Sequence, residues 1–426
     1  MLKKKGEEES MKLSKKQKLI GFIAVLLVAV IIAIVITTSI IRNNNQVASE
    51  GYLATTANAG SSLISNYILN GITIGGITGK MDVLDTSDAT AEPSDIAKGK
   101  TAYVNGVKIT GIYVENTLGT VTGNETTNSE VNDKYGNPVK VPAGFKVVNP
   151  EDDVTKGIII EDVSAGDSNT QGSQFVWIPV GDVITDSNGS TTTITLGRYD
   201  FNSDGSTTTV SSSYTEDTAE SHNSSYGNVI AKDINDFIEK ANSSGGYYIG
   251  RYEAGDATAT SSARTSSTSD TNPIVSKAGV YPYNYITQPQ ASSLCQNMYS
   301  SSNFESDLIN SYAWDTAIVF IQAFSGDTDY SRQVGRNTAR AVQKCGESIL
   351  DYNLDEGDVA QDIRCNIYDM AGNTGEWSTE TSSYPNSPCV SRGSFYLNPQ
   401  DYTSNRSVNS TTGGGGLNST RPILYL

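Results

Sequence analysis

Asn366-Ile367-Tyr368-Asp369-Met370-Ala371-Gly372-Asn373-Thr374-Gly375-Glu376-Trp377 is the most telling run of this 426-residue chain. Arg392-Gly393-Ser394-Phe395 follows it, and Thr420-Arg421-Pro422-Ile423-Leu424-Tyr425-Leu426 closes the sequence. On its residues alone, Asn373 closes a turn among glycines, Glu376 pairs with a nearby base and Trp377 enters a core.

Upstream lie Val141-Pro142-Ala143-Gly144-Phe145, Phe175-Val176-Trp177-Ile178-Pro179-Val180 and Gly246-Tyr247-Tyr248-Ile249-Gly250-Arg251-Tyr252-Glu253. These apolar and aromatic runs, bounded by turn residues, predict core strands. Ala291 to Tyr299 and Tyr312 to Phe324 have helical spacing, with Leu294, Met298, Trp314, Ala317, Ile318 and Ile321 on buried faces. Ser203 to Ser225 and Ala257 to Ser269 are too rich in Ser and Thr to build a core and are expected as surface hairpins or loops. Asp200-Phe201-Asn202-Ser203-Asp204-Gly205 opens like a calcium loop, but the twelfth position is Ser211 where such a loop needs a bidentate Glu. A hairpin turn is expected there instead.

In order, these motifs resemble the formylglycine-generating-enzyme (sulfatase-modifying factor) branch of the C-type-lectin-like folds. That family runs through F-x-W-I-P-V, an E-W-x-x-A helix, N-hydrophobic-x-D-L/M-x-G-N, E-W, R-G-G-S/N-F/Y and a closing G-F-R-P strand. The resemblance spans residues 141–426. It implies an α+β fold with a C-type-lectin-like head containing much irregular structure. It also implies a calcium ion beside Asn373 and Glu376, an alternative that stands next to the turn and ion-pair reading. The family's catalysis does not carry over. Its two active-site cysteines follow R-G-G-S-F/Y, where this chain has Tyr396, Leu397, Asn398 and Pro399, and its iron-dependent sulfoxide synthases need several histidines where this chain has His222 alone. Asp351, Asp355, Glu356 and Asp358 read as a solvated acidic loop.

The segment between Arg392-Gly393 and Arg421-Pro422 corresponds to the exposed face of the lectin-like fold. Here Phe395, Tyr396, Leu397, Asn398, Gln400, Tyr402, Ser407, Asn409, Thr411 and Asn418 are the candidate ligand-binding residues. Tyr offers contact area at low entropic cost, and Ser, Gly and Asn offer adaptable hydrogen bonds, as in antibody paratopes. With Ser404-Asn405-Arg406 inside it, the segment resembles the variable region of bacterial surface proteins diversified by retroelements. Ser394 in place of the second glycine and Ser419-Thr420 in place of Gly-Phe depart from that pattern. An ordinary polar loop with Gly413 to Gly416 as a flexible turn is the alternative.

The net charge is −17, and seven lysines crowd residues 1–18. The remainder is strongly acidic, which excludes nucleic acid as a partner. Leu19 to Ile41 is uncharged and long enough to span a bilayer as a helix, so a single transmembrane helix is expected, with residues 1–18 as a cytoplasmic basic tail. That places the protein in the cell membrane as a single-pass chain with an extracellular C-terminal domain. Residues 42–66 form a spacer, 67–116 a pair of β-hairpin repeats, 117–140 a linker and 141–426 the head. In the repeats, Asn70-Gly71 and Asn105-Gly106 lie between β-branched runs, as in type I′ hairpins. The second copy resembles short β-repeats of phage tail and bacterial surface proteins.

Cys295, Cys345, Cys365 and Cys389 would allow two disulfides in an oxidising compartment, with Cys345 to Cys365 preferred, and His222 sits in a polar loop. The sequence therefore predicts a non-catalytic, membrane-anchored protein that binds an extracellular protein or glycan through its C-terminal face. A formylglycine-generating-enzyme-like oxidoreductase and a structural envelope or phage-derived tail component are the alternatives.

Overall fold

The computed structural model describes residues 71–426 except 75, 79–85, 98, 112–115, 217–232, 259–261, 267–271, 336–340, 348–360, 399 and 414. Leu19 to Ile41, the spacer, His222 and the acidic run at 351–358 lie outside the described residues. Contacts divide the chain into two compact units, residues 1–113 and 114–426.

In the first unit, Thr101–Val104 pairs antiparallel with Val107–Thr110 around Asn105-Gly106, both at positive φ, as the Asn-Gly signal demands. Thr73–Ile74 pairs antiparallel with Ile77–Thr78, and Asn70 of the other Asn-Gly signal lies outside the described residues.

In the second unit a six-stranded antiparallel sheet is built from β1 (Phe145–Val147), β2 (Ile159–Asp162), β3 (Gln174–Pro179), β5 (Gly246–Gly250), β6 (Glu305–Leu308) and β11 (Pro422–Tyr425). Its spatial order is β6-β11-β5-β3-β2-β1. A second sheet holds β4 (Tyr214–Glu216), β7 (Gly375–Ser382), β8 (Cys389–Arg392) and β9 (Arg406–Asn409) in that order, with β10 (Asn418–Thr420) parallel to β7. Three helices accompany them: α1 (Ile234–Ser243), α2 (Gln288–Gln296) and α3 (Ser311–Phe324).

The continuous apolar run of β3 has a plain cause: both faces of its sheet are covered. Phe175 and Trp177 enter one core with Tyr248, Leu424 and the α2 residues Ala291 and Cys295. Val176 and Ile178 enter the other with Tyr247, Ile249, the α1 residues Phe237 and Ala241, and Ala317 and Ile321 of α3. A strand buried on both sides has no reason to alternate. Asp233 caps α1, Thr287 forms a capping box with Gln290 and Asn310 caps α3, so each helix begins at a side-chain acceptor.

Three expectations are corrected. The balance is mostly β, not α+β: among the described residues three α-helices stand among many short strands, because the Ser-, Thr- and Gly-rich connections form short hairpins. Among the described residues no helix is long and apolar enough to cross a membrane, so the single-pass membrane location is not supported. Residues 117–140 are not a linker. Ser129–Asn132 pairs with Pro138–Val141, and Leu118, Val121, Val131 and Val139 are buried in the core of the second unit.

Candidate functional site

The C-terminal segment leaves β8 at Gly393, whose φ is +78°. A β-carbon there would stand 2.7 Å from the Met370 carbonyl oxygen and 3.2 Å from the Trp314 ring, so only glycine lets the chain turn so close to the core. The chain then comes back as the edge strand β9 and crosses from one sheet to the other at Arg421, between β10 and β11.

Beneath the segment lies a buried ionic lattice. Arg392 bonds Asp315 at 2.5 Å and Glu380 at 3.3 Å, while Arg406 bonds Asp315 at 2.7 Å, Glu380 at 2.9 Å and Asp200 at 2.7 Å. Arg198 adds a contact of 2.5 Å to Glu380. Burial works to raise the Glu380 carboxyl, but Arg392, Arg406 and Arg198 outweigh it and hold it below the ordinary glutamate value. Tyr402 to Arg406 is then pinned from several sides. The Thr403 and Ser404 amides donate to the Gln333 and Ser331 carbonyls at 2.9 and 3.1 Å, and Trp314 donates to the Thr403 carbonyl at 3.0 Å. The Arg332 guanidinium lies 3.7 Å from the Tyr402 ring centre.

Other predicted face residues are less committed. Leu397 is 48% exposed, Gln400 is exposed, and Phe395, Tyr396, Asn398, Ser407, Asn409 and Thr411 are half-buried. Val408, not singled out from sequence, is 37% exposed. Asn398 closes a local turn, donating to Asp401 at 2.7 Å, and Asn409 donates to the Ser391 hydroxyl at 3.2 Å. Asp401 and Arg406 are the charged residues of segment 395–418, and both are occupied within the protein. The face therefore presents aromatic, aliphatic, hydroxyl and amide groups. Asn418 does not join it. It is buried in β10 opposite Gly375, where the parallel pairing to β7 leaves no outward path for its side chain.

Asn373 and Glu376 sit in a second buried cluster. Asn373 has φ +62°, accepts the Gln343 amide at 2.8 Å through Oδ1 and donates to Glu253 at 2.5 Å. Glu376 receives both Arg421 donors, at 2.5 and 2.8 Å. Calcium needs about six to eight oxygen ligands. Both Glu376 oxygens are spent on a guanidinium and the Asn373 oxygen on an amide, so these residues do not fit calcium as arranged. No group of three or more His, Cys, Asp or Glu among the described residues could hold a metal. Burial pushes the Asp369 carboxyl up to about 8, with Asp362 adding to the rise, and burial raises Glu253 well above its ordinary value.

A groove of about 770 Å³ elsewhere on the head is lined by Asp152, Lys156, Asp327, Asp329, Arg364 and Cys365. Arg364 and Asp327 pair across it at 3.0 Å, and burial pushes the Cys365 thiol up to about 12, so it holds no ready nucleophile. The preferred Cys345 to Cys365 bridge does not form. Cys295, Cys345 and Cys365 are thiols, two of them buried against Thr420 and the Glu253 carbonyl.

Tyr285, Arg332 and Glu253 were not singled out as functional residues from sequence. Tyr285 reaches the terminal segment from the loop before α2, where its amide donates to the Gly415 carbonyl at 3.2 Å. Contacts of this kind leave no local pattern to read.

No family model matches the chain, and comparison with curated proteins finds no significant match. The kinship to formylglycine-generating enzymes thus finds no support there. A solved structure similar to this chain is variable protein 1 of Treponema denticola, at 12% identity and a TM-score of 0.26, covering 42% of this chain and 85% of that one. The functional reading accordingly rests on the face itself.

Proposed function

We propose that this protein binds a protein or glycan ligand, without catalysis, through the face formed by Phe395 to Asn398, Gln400, Ser407, Asn409 and Thr411. The observation that carries the reading is the division of labour within one short segment. Tyr402 to Arg406 is locked by buried arginines and backbone bonds, while Leu397, Gln400 and Val408 point outward with nothing in the protein that needs them. Uncharged, Tyr- and Asn-bearing loops on a rigid frame are the physics of a paratope. The same division suits a retroelement-diversified region, which must change contact residues without unfolding its support. An oxidoreductase would need a nucleophile or metal that this face lacks among its residues.

The test uses the full chain and its Leu397→Asp variant against an array of neutral oligosaccharides and a displayed library of random peptides. Ligands captured by the parent and lost by the variant, at equal melting temperature, support the reading. Capture that ignores the substitution, or no capture at all, sinks it. Diversification has its own check in the encoding locus: adenine-focused variation between the Arg392 and Arg421 codons, beside a template repeat and a reverse transcriptase. A uniform locus would leave a binder of fixed specificity.

A further inference from the structure

Lys146, Glu161 and Gln174 stand in line across β1, β2 and β3. Lys146 faces Glu161 in one ladder and Glu161 faces Gln174 in the next. Residues directly opposite one another share a face, so all three side chains leave the sheet on the same side. Glu161 holds both neighbours: Lys146 Nζ lies 2.7 Å from its Oε1, and Gln174 Nε2 donates to its Oε2 at 2.6 Å. On the far side Arg251 donates to Gln174 Oε1 at 2.6 Å. Arg251 is itself fixed, by the Asn366 carbonyl at 3.1 Å and by the Tyr252 and Tyr368 rings, whose centres each lie 5.3 Å from its guanidinium carbon. Burial works to raise the Glu161 carboxyl, but the bonds from Lys146 and Gln174 outweigh it and hold it below the ordinary glutamate value.

An ion pair whose side chains are 41% and 24% exposed contributes little to stability, and it needs neither the glutamine nor the guanidinium beyond it. Together the four groups supply what acyl transfer to an amine requires. There is a nucleophile, a carboxylate touching it, a carboxamide on the same carboxylate, and a cation at the oxygen where negative charge develops. Two ladder steps separate β1 from β3 by about 9.6 Å, a span that an extended lysine and glutamine cover together. Alignment of this kind is worth an effective concentration of about 10⁵–10⁸ M, without which amines and amides react too slowly to matter.

We propose that Lys146 and Gln174 join in an intramolecular isopeptide bond that staples β1, the outermost strand of the sheet, to β3. Glu161 takes a proton from the Lys146 ammonium, Nζ attacks Gln174 Cδ, and Arg251 stabilises the oxyanion. The Nζ–Cδ bond forms as the Cδ–Nε2 bond breaks. Two of the three ammonium protons pass through Glu161 to Nε2, which leaves as ammonium, and no oxidant or reductant takes part.

The experiment incubates the full chain at mildly alkaline pH, weighs it intact and maps its peptides by mass spectrometry. The expected mass is lower than that of the sequence by one ammonia, with a branched peptide uniting the Lys146 and Gln174 fragments. Lys146→Arg keeps an ion pair to Glu161 but cannot form the link, so it should show full mass and melt several degrees lower. Glu161→Gln leaves both reacting groups in place and should also show full mass. Unlinked Lys146 and Gln174 peptides in the parent, at full mass or with the ammonia lost at another residue, overturn the proposal. A link that still forms in Glu161→Gln overturns the role given to Glu161.

Discussion

Arg392 and Arg406 stand directly opposite each other across β8 and β9, and their guanidinium groups share the same two carboxylates, Asp315 of α3 and Glu380 of β7. Like charges facing across a ladder normally repel. Here the repulsion is absorbed because each arginine's planar fork reaches both anions, tying the edge strand to a helix and to the central strand of its sheet. The outer residues of the segment are thereby freed from any duty in holding β9 in place.

Arg406→Met should therefore cost about 3–5 kcal/mol, because it leaves buried carboxylates short of a partner. Arg406→Lys should recover only part of this, since an ammonium cannot bridge two carboxylates in a plane. Urea unfolding of both variants measures it. A loss below about 1 kcal/mol for Arg406→Met would mean that the lattice does not anchor the strand.

Stability should fall as pH rises. Asp369, pushed up to about 8, and Glu253, raised well above its ordinary value, hold protons in the folded state that the unfolded chain releases near pH 4. The Asp369 contribution is fully present below about pH 4 and is lost as pH climbs through about 8, and the Glu253 contribution runs in the same direction. Denaturation midpoints taken across that range should decline, and Asp369→Asn should flatten the decline. A midpoint that rises with pH in both proteins would contradict the buried acid cluster.

Calcium and chelator should leave the melting temperature unchanged, since Arg421 already occupies both Glu376 oxygens. Glu376→Gln, in contrast, should cost about 3 kcal/mol by stranding the Arg421 charge in the core. Calorimetry with and without calcium settles the first part: a shift of several degrees would return a cation to the site.

Tolerance along the terminal segment should follow exposure. Leu397→Ser and Val408→Thr should change stability by less than about 0.5 kcal/mol, the usual range for surface sites. Tyr402→Ala should cost more, through the stack on Arg332. Gly393→Ala should be worse still, as it drives a β-carbon into the Met370 carbonyl. Thermal melts of the four variants give the order, and a severe loss at Leu397 would mean that it belongs to the core.

Much of the frame was legible from local pattern. The runs at Phe175 to Val180 and Gly246 to Glu253 read as core strands because uninterrupted apolar residues have nowhere else to go; β3 starts one residue before the first, at Gln174, and β5 lies within the second. Helical spacing found α3 nearly to the residue and α2 with its start displaced to Thr287, where the capping box was not read. Helix α1 was missed, lying as it does just after a polar tract whose composition masked its Asp233 cap. Of the two readings of Glu376, the ion pair is the one found, with Arg421 as the base.

Sequence by itself determined the properties that depend on neighbours along the chain: apolar runs, turn residues such as Asn105-Gly106, the acidic charge, and the Tyr- and Asn-bearing character of the terminal segment. Tertiary structure decided everything that depends on partners far away in sequence. It buried Asn418 beside Gly375, drew residues 117–140 into the core, kept Cys345 and Cys365 unbridged and set Tyr285 against Gly416. The reason is physical. Side-chain periodicity is a local consequence of backbone geometry, whereas strand order, carboxylate sharing and loop contact arise only when distant segments are brought together.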